Sequence, residues 1–265
     1  MSDLSSSRIE EELSRLALRL GPVALVDETA STNDDARILA RRGAPHGAVV
    51  LADRQSAGRG RGAHRWHSPP GENLYASLVW RPSLEASRLA LLALAVGVGV
   101  ARTVDRVLAS RRAWIKWPND VFVDDRKVAG VLVEATLGAG ASTAIIGVGL
   151  NVHGRQFPEE LASTATSLAL LGGVDLDRSR VAARMIVEID MACRDLELAS
   201  SEGRNGLWLD ELRSRDWLVG REVRVGDVAG RAAGIDDQGR LLVRRDGGLA
   251  VPVSSGEVSL RVATR

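Results

Sequence analysis

The chain has 265 residues, of which 45% are hydrophobic and 26% are charged, and its formal net charge is +1. This composition is typical of a globular protein and excludes a wholly disordered chain, while the balanced charge gives no indication of binding to nucleic acid or acidic lipid. The one cysteine, Cys193, cannot supply a disulfide framework or a zinc site built from cysteines within one chain, and we expect it in the core.

No segment of the sequence has the features of a signal peptide or a membrane span. The N-terminal segment MSDLSSSRIEEELSRL has neither an apolar stretch nor a cleavage site. The longest apolar run, residues 89–101, is too short to cross a bilayer and predicts a buried helix. We therefore expect a cytoplasmic protein with no membrane partner and no nucleic-acid partner.

Hydrophobic periodicity predicts a mixture of helices and strands over residues 1–217. Ser31, Thr32 and Asn33 offer side chains that can cap a helix ending at Arg42. The other predicted helices span 1–20, 84–109, 178–199 and 205–216. The predicted strands span 23–27, 47–53, 73–80, 114–117, 121–123, 128–135 and 143–148.

The composition changes near residue 218, where short β-type runs alternate with turn signals rich in aspartate and glycine. The turns are expected at 236–239 and 246–248. The runs span 222–225, 228–235, 241–245, 250–253 and 258–262. This pattern predicts a small β-barrel, and we divide the chain into domains 1–217 and 218–265.

The polar connection 54–72 contains the strongest local motif, QSAGRGRG at residues 55–62. Its glycines allow backbone N–H groups to approach a ligand closely, and its arginines create a positive field that suits a phosphate or a carboxylate. It is not a dinucleotide fingerprint, because no helix follows it, and the chain has no P-loop motif. A basic surface loop, or a loop that contacts nucleic acid beside Trp66, stays an alternative.

Lysine is rare in this sequence, which contains 33 arginines and 2 lysines. Lys116 lies between apolar neighbours in a predicted strand, where burial of an ammonium group without a partner is costly. A strand lysine that faces a cavity can bind a phosphoryl oxygen and stabilise charge in a transition state. Pro118 ends the strand, so Asn119 and Asp120 follow directly after the strand end. The alternative is a lysine at the sheet end with its amine in water.

Two further segments are weaker signals, because small residues at strand ends commonly form turns. Gly130, in the strand that follows Lys127, suggests the close approach of a ligand or of another backbone. The segment GVGLN, residues 147–151, ends the next strand with two glycines and Asn151. The four histidines lack the spacing of metal ligands, and no GxSxG motif supports a serine hydrolase.

Taken in chain order, these motifs resemble those of the biotin protein ligases over about residues 23–262. The matching segments are STN (31–33), QSAGRGRGAHRW (55–66), NLYASLVW (73–80), KWPND (116–120), RKVAGVLVE (126–134) and GVGLN (147–151). The resemblance implies an α+β fold. In it, a mixed β-sheet flanked by helices, similar to class II aminoacyl-tRNA synthetases, precedes a small Src-homology-3-like β-barrel. It also implies the monofunctional type without a DNA-binding domain, for which we expect no room in this chain.

The resemblance implies a reaction in two steps, with biotin and ATP as substrates and Mg²⁺ carried on the ATP phosphates. Biotin's carboxylate attacks the α-phosphate to give biotinyl-5′-adenylate and pyrophosphate. A lysine amine on a carrier then attacks the adenylate and releases AMP. The implied partners are the biotin carboxyl carrier domains of acyl-CoA and pyruvate carboxylases. We expect no dedicated metal site and a monomer or weak dimer.

The resemblance also implies the site residues. Lys116 and Arg61 are the expected catalytic residues, because two anions must meet and cations must stabilise the transition state. The expected biotin-binding residues are Ser31, Thr32, Asn33, Gln55, Gly58, Arg59, Gly60, Arg61, Lys116, Gly130, Gly147 and Gly149. The expected nucleotide-binding residues are Arg59, Arg61, Trp66, Asn119, Lys127 and Asn151.

The glycine-rich loop departs from the family pattern GRGRxGRxW in one place. Gly62-Ala63-His64-Arg65-Trp66 stands where a second glycine–arginine pair is usual, so retention of the adenylate is the property most affected. Attachment of lipoate or octanoate, and a non-catalytic vitamin or nucleotide sensor, are the alternative functions. The presence of both Lys116 and the arginine-rich loop favours an enzyme.

Overall fold

The computed structural model describes residues 3–18, 20–137, 142–245 and 248–260. The helices are α1 (Ser6–Arg15), α2 (Thr32–Arg41), α3 (Leu91–Leu108), α4 (Glu159–Ala162), α5 (Arg178–Ser201) and α6 (Leu207–Ser214). The strands are β1 (Val23–Thr29), β2 (Val49–Gln55), β3 (Leu74–Trp80), β4 (Trp114–Lys116), β5 (Asp120–Val123), β6 (Arg126–Thr136), β7 (Thr143–Leu150), β8 (Glu222–Val225), β9 (Val228–Ile235), β10 (Leu241–Arg244), β11 (Ala250–Val253) and β12 (Val258–Leu260).

A seven-stranded mixed sheet forms the centre of the larger unit, in the order β1-β2-β3-β7-β6-β5-β4. β1 and β2 are parallel, and the other neighbouring strands are antiparallel. All 7 residues of β3 are buried, because the strand is central and helices pack on both sides of it. The predicted mixed sheet flanked by helices is therefore confirmed.

Helices α3 and α5 cover one face of this sheet. Gly99 of α3 lies so close to α5 that a Cβ atom on it would be 2.7 Å from the Cα atom of Ile189, so glycine allows the helices to approach this closely. Cys193 and most of the apolar run 89–101 are buried here, as predicted. Among the described residues, no helix is both long enough and apolar enough to cross a membrane.

Helix α2 covers the opposite face of the sheet. Ala36 of α2 packs with Val50, Val79 and Ile145 in a small apolar cluster. Leu78, next to Val79, belongs to the main core instead, because successive side chains of a strand point to opposite faces. This packing places the N-terminus of α2 beside the ends of β2 and β7.

Two N-terminal predictions need correction. The first helix spans Ser6–Arg15 rather than residues 1–20, and residues 1, 2 and 19 lie outside the described part. Ala17 follows the helix with a φ angle of +57°, which is incompatible with its continuation. Ser31 occupies the N-cap position of α2, but its side chain makes no capping hydrogen bond.

Other element ends also differ from the sequence prediction. The predicted helix 84–109 is divided into a 3-10 turn, Ala86–Arg88, and α3. The last helix of the larger unit ends at Ser214 rather than at residue 216, because the next residues pair with β4. The predicted strand 258–262 is described as far as Leu260, and the predicted turn 246–248 falls partly outside the described residues, at 246 and 247.

The C-terminal strands form a five-stranded antiparallel sheet in the order β11-β10-β9-β8-β12. Val223 and Leu241 are among its buried residues, and they give the sheet an apolar side. This is the small C-terminal β-structure that the sequence predicts. It contacts the larger unit where Trp117 donates a hydrogen bond of 2.9 Å from Nε1 to the Gly239 carbonyl.

Residues 215–217 join the two sheets and lie along the edge strand β4. The Ile115 nitrogen donates to the Arg215 carbonyl at 2.8 Å, and the Trp217 nitrogen donates to the Ile115 carbonyl at 3.0 Å. Asp216, between them, is 3% exposed. Its Oδ1 accepts a hydrogen bond from the Leu218 nitrogen, whereas its Oδ2 has no partner among the described residues. Burial raises the pKa of Asp216 to about 6.

We expect Asp216 to lower the free energy of unfolding as the pH rises from about 4 to about 6. Its pKa is about 6 in the folded protein against an ordinary 3.8, so the unfolded chain releases this proton first and ionisation favours unfolding. A pKa difference of this size corresponds to about 3 kcal/mol. Asp216→Asn should therefore be more stable than the wild type at pH 7.5 and lose most of that advantage at pH 4.

Denaturant titrations at both pH values measure this effect. Asp227→Asn, in the exposed turn between β8 and β9, is the matched control and should change stability little at either pH. The prediction would be wrong if Asp216→Asn changed the free energy of unfolding by the same amount at pH 4 as at pH 7.5.

Candidate active site

A cavity of about 570 Å³ lies between the larger sheet, the N-terminus of α2, the loop after β2 and residues 256–258. The predicted site residues that line it are Ser31, Thr32, Asn33, Gln55, Arg59, Gly60, Arg61, Trp66, Lys116, Asn119, Lys127, Gly130, Gly147 and Gly149. The sheet brings them together because β7 inserts between β3 and β6. Most of the predicted residues therefore share one cavity.

Two predicted site residues, Gly58 and Asn151, do not line this cavity. A Cβ atom on Gly58 would lie 2.6 Å from Ser68 Oγ and 2.7 Å from the Trp66 carbonyl oxygen, so this glycine permits close packing of the loop on itself. Asn151 is 5% exposed, and its Nδ2 donates to the Thr166 carbonyl at 2.9 Å. Asn151 therefore joins two segments of the protein instead of facing the cavity.

A chain of hydrogen bonds between polar side chains forms one end of the cavity. Thr32 donates from its backbone nitrogen and from Oγ1 to Gln55 Oε1, at 2.9 and 3.2 Å. Ser77 Oγ lies 2.8 Å from Thr32 Oγ1 and 2.6 Å from Asn33 Oδ1. Asn33 also donates from Nδ2 to Glu134 Oε2 at 2.8 Å. The hydroxyl and amide groups can exchange hydrogen bonds with a neutral polar ring.

Glycines in β6 and β7 leave space for the side chains that cover them. A Cβ atom on Gly147 would lie 2.1 Å from Asn33 Oδ1, and one on Gly149 would lie 2.3 Å from Cε2 of Trp66. A Cβ atom on Gly130 would lie 3.0 Å from Cζ3 of the same indole. Larger residues would displace Asn33 and Trp66, so these glycines help to form the cavity through their protein neighbours.

Residues 58–66 form a short hairpin rather than an irregular loop. The backbone nitrogens of Gly60 and Trp66 donate across it, at 2.8 and 3.0 Å. Gly62, near the tip, has a φ angle of +66°, which favours glycine. The indole Nε1 of Trp66 is buried without a hydrogen-bond partner among the described residues. It lies over Gly149, where a Cβ atom would be 2.4 Å from it.

The hairpin contacts the C-terminal sheet across the mouth of the cavity. Arg61 donates from Nη1 to the Gly256 carbonyl at 2.6 Å, a contact between residues 195 positions apart. His64 Nε2 lies 3.2 Å from Glu257 Oε2. Residues 256–258 thus form one wall of the cavity. The sequence analysis did not identify this wall, because these residues belong to none of the motifs.

Arg59 lies at the rim of the cavity in a cluster of ion pairs. Its Nη2 is 2.9 Å from both Asp34 Oδ1 and Glu134 Oε2, and its Nη1 donates to Glu134 Oε1 at 3.1 Å. Arg37 pairs with the same two carboxylates. Because two carboxylates balance two guanidinium groups, Arg59 must leave these partners before it can bind a ligand anion.

The two lysines differ in their partners. Lys127 Nζ forms an ion pair of 2.7 Å with Asp120 Oδ1. Lys116 forms no ion pair in the described structure, and its Nζ lies 5.7 Å from the centre of the Phe122 ring. Burial lowers the pKa of Lys116, and the negative charge of Asp120 opposes this effect. Lys116 therefore lines the cavity without a direct carboxylate partner in the described structure.

Asn119 holds the turn between β4 and β5 against β6. Its Nδ2 donates to the Val131 carbonyl at 2.8 Å, and the Val131 nitrogen donates to the Asn119 carbonyl at 2.9 Å. The Trp117–Pro118 peptide bond in this turn is cis. Asn119 lines the cavity, but its amide nitrogen is engaged with the backbone.

The cavity combines a polar end with a cationic end. Arg61, Arg65 and Lys116 line it, and none of the three pairs with a carboxylate in the part of the chain that the structure describes. Guanidinium and ammonium groups form strong hydrogen bonds with carboxylates and phosphates. The arrangement thus fits a ligand with a neutral polar head and an anionic end, next to a phosphate group. Across the described ranges, no cluster of three or more His, Cys, Asp or Glu residues can hold a metal ion.

Sequence reasoning assigned no role to Ser77 or to residues 256–258. Ser77 is fully buried at the centre of β3 and links Thr32 to Asn33. A serine inside an otherwise apolar strand was the available signal, because a buried hydroxyl needs a partner. Residues 256–258 offered no comparable signal.

Comparison with known proteins gives concordant matches over both units. Residues 25–151 match the biotin/lipoate A/B protein ligase family, and residues 218–261 match the biotin protein ligase C terminal domain. The chain is 37% identical over 252 residues to the bifunctional ligase/repressor BirA of Escherichia coli. This alignment covers 92% of this chain and 76% of BirA. It is also 37% identical over 245 residues to the biotin–[acetyl-CoA-carboxylase] ligase of Mycobacterium tuberculosis. That alignment covers 88% of this chain and 87% of the mycobacterial protein.

Solved structures give the same result. The biotin protein ligase from Aquifex aeolicus in complex with biotin and ATP has a TM-score of 0.76 and 30% identity, with 90% of this chain and 98% of that chain covered. The Leishmania major biotin protein ligase in complex with biotinyl-5-AMP has a TM-score of 0.61 and 25% identity. The match covers 88% of this chain and 98% of the Leishmania chain. The second family match, over residues 218–261, is to a domain named for the biotin protein ligases alone. On sequence and fold together, this chain belongs to the biotin protein ligases.

Proposed function

We propose that this chain is an ATP-dependent ligase that activates biotin as biotinyl-5′-adenylate and transfers the biotinyl group to a lysine of a carrier protein. One observation carries this proposal. Polar groups around Asn33 and two cations without a carboxylate partner in the described structure, Arg61 and Lys116, line the same cavity. Biotin has a neutral ureido ring at one end and a carboxylate at the other, so its chemistry matches this arrangement.

We assign the ureido ring of biotin to Ser31, Thr32, Asn33 and Gln55. The polar groups of Thr32, Asn33 and Gln55 are held by short bonds to one another or to Ser77, which limits their freedom before ligand binds. Gly147 makes the space that Asn33 occupies. Trp66 would cover the adenylate through its indole face, with Lys127 on the nucleotide side.

In the first step, a carboxylate oxygen of biotin bonds to the α-phosphorus of ATP. The bond from that phosphorus to the bridging oxygen of the β-phosphate breaks, and pyrophosphate leaves with Mg²⁺. Both reactants are anions, so cations must hold them close and stabilise the charge of the transition state. We assign the stabilisation of the transition state to Lys116 and the holding of phosphate oxygens, through to the finished adenylate, to Arg61, because neither pairs with a carboxylate in the described structure.

In the second step, the neutral amine of a carrier lysine attacks the carbonyl carbon of the adenylate. The bond from that carbon to the phosphate oxygen breaks, AMP leaves, and the amine releases a proton to water. We propose biotin carboxyl carrier domains of acyl-CoA and pyruvate carboxylases as the carriers. The name of the mycobacterial relative, a ligase for acetyl-CoA carboxylase, supports this class of partner.

We also propose that the chain divides into domains 1–217 and 218–265. The position of the linker supports this division, because residues 215–217 pair with β4 and β8 begins shortly afterwards, at Glu222. The C-terminal domain contributes Gly256 and Glu257 to the wall of the cavity, so we expect both domains to be required for activity.

Intact-mass measurement of a carrier domain tests the proposed function. The carrier is incubated with the protein, Mg·ATP and either biotin or lipoate. We expect the mass of the carrier to increase by one biotinyl group with biotin and to stay unchanged with lipoate. Modification with lipoate but not with biotin would contradict the proposal.

We expect biotin together with Mg·ATP to protect the hairpin 58–66 from proteolysis. Residues 62–65 are exposed, and anion binding by Arg61 should hold the hairpin over the ligand. Limited trypsin digestion, mapped by mass spectrometry, should show slower cleavage after Arg59, Arg61 and Arg65 with both ligands. Cleavage after Arg204, in an exposed turn after α5, serves as the control. Equal hairpin cleavage with and without ligands would refute this expectation.

A further inference from the structure

The side chains of Lys116 and Phe122 lie on the same face of the hairpin formed by β4 and β5. Lys116 pairs with Asp120, and Trp114 pairs with Phe122, so all four side chains point to one face of the sheet. The Lys116 Nζ atom is 5.7 Å from the centre of the Phe122 ring, which is within the range of a cation–π contact.

The Phe122 ring also packs against the linker between the two sheets. The ring centres of Phe122 and Trp217 are 4.8 Å apart. Trp217 donates from Nε1 to Asp125 Oδ1 at 2.8 Å, and the guanidinium group of Arg221 lies 3.9 Å from the Trp217 ring centre. Both aromatic residues are 8% exposed. Arg221, Trp217, Phe122 and Lys116 thus form a continuous stack from the C-terminal sheet to the cavity.

We propose that Phe122 is a positioning residue for Lys116, whose ring holds the ammonium group in place for the activation of biotin while Trp217 fixes the ring. This inference rests on the proposed function, which gives Lys116 its task. An aromatic face attracts a cation without cancelling its charge, whereas a carboxylate would neutralise it. Lys127 has both kinds of partner, because its Nζ pairs with Asp120 and lies 5.3 Å from the Trp66 ring centre, whereas Lys116 has the ring without the ion pair in the described structure.

Charged groups from several elements face Lys116. They are Asp120 of β5, Lys127 of β6 and Glu257 of the C-terminal sheet, and Arg61 of the hairpin lines the same cavity. Burial lowers the pKa of Lys116, partly opposed by the carboxylates of Asp120 and Glu257. Because the Phe122 ring favours the charged form of the amine, its removal should lower this pKa further.

Two substitutions of Phe122 distinguish the effect of its aromatic ring from the effect of its apolar volume. Phe122→Leu keeps an apolar side chain and removes the ring, whereas Phe122→Tyr keeps the ring. We expect the leucine variant to reduce the single-turnover rate of adenylate formation roughly three- to thirty-fold, with little change in the KM for biotin. The tyrosine variant should stay near the wild type. Phe157→Leu is the matched control, because it makes the same substitution at a half-buried phenylalanine that does not line the cavity.

A second measurement does not require ligase activity. Because the chain contains 2 lysines, amine labelling over a range of pH, followed by peptide mass spectrometry, follows Lys116 and Lys127 separately. We expect the pKa of Lys116 to be lower in Phe122→Leu than in the wild type, Phe122→Tyr and Phe157→Leu. The labelling of Lys127 should be unchanged in all of them.

The outcomes distinguish the positioning role from its alternatives. If Phe122→Leu forms the adenylate more slowly but the pKa of Lys116 is unchanged, Phe122 has a packing role and the proposal is overturned. So would a wild-type rate in that variant, or a tyrosine variant as impaired as the leucine variant. A wild-type protein that forms no adenylate would overturn the proposed function instead, and the labelling would still decide whether Phe122 holds Lys116.

Discussion

Replacing Lys116 with alanine should lower the single-turnover rate of adenylate formation by about 10²-fold or more, the scale expected for loss of one preorganised charge. The structure gives the reason, because Lys116 lines the cavity without an ion-pair partner among the described residues. Its charge is needed mainly in the transition state, so binding of biotin should change much less than the rate. Quenched-flow measurement of biotinyl-5′-adenylate from labelled ATP checks this.

Two further variants show whether charge or volume causes the loss. Lys116→Met keeps the length of the side chain without its charge and should be about as slow as Lys116→Ala. Arg54→Ala removes an exposed cation that lies outside the cavity and pairs with Glu28, and it should be near the wild type. A near-normal rate of adenylation in Lys116→Ala would remove this lysine from the proposed mechanism.

Arg61→Gly should still form the adenylate but release it, so that bystander proteins become biotinylated. Arg61 stands in the hairpin that closes the mouth of the cavity and donates to the Gly256 carbonyl, a neutral acceptor that an adenylate phosphate can replace. A charge-assisted hydrogen bond of about 1.5–3 kcal/mol corresponds to roughly 10- to 150-fold in retention. His64 is 67% exposed and contacts Glu257, so it offers little replacement for the lost guanidinium group.

Biotinylation of an unrelated lysine-rich protein, compared between the wild type and Arg61→Gly, measures this leak. Arg54→Ala again serves as the control and should not increase bystander labelling. The ligase itself contains 2 lysines, so self-labelling will add little to the signal. If Arg61→Gly loses carrier and bystander labelling together, Arg61 acts in adenylate formation and the retention role is wrong.

Much of the secondary structure could be predicted from the sequence because its causes are local. The apolar run 89–101 predicted a buried helix, and α3 is that helix. Strands β8–β12 were recognised from short apolar runs between turn residues. The ends of elements were less predictable, as at Ser214, because α6 stops where residues 215–217 pair with a strand far away in the chain.

The motifs in the sequence already indicate which chemical groups the site can contain. Lys116, the arginines of the hairpin and the residues Thr32 and Asn33 belong to motifs whose composition indicates anion binding and neutral hydrogen bonding. All of them line one cavity. Their chemistry could be read locally because a residue type at a given spacing carries its charge, its donors and its permitted backbone angles wherever the chain folds.

Which of these groups are free to act depends on the folded chain. It engages Arg59 with Asp34 and Glu134, turns Asn151 towards Thr166, and leaves Lys116 against an aromatic ring instead of a carboxylate. It also places Gly256 beside Arg61, 195 positions away. Partners of this kind are set by the order of strands in the sheet and by the docking of one sheet on the other. Contacts between distant segments leave no periodic pattern in the sequence, so their outcome depends on the folded chain.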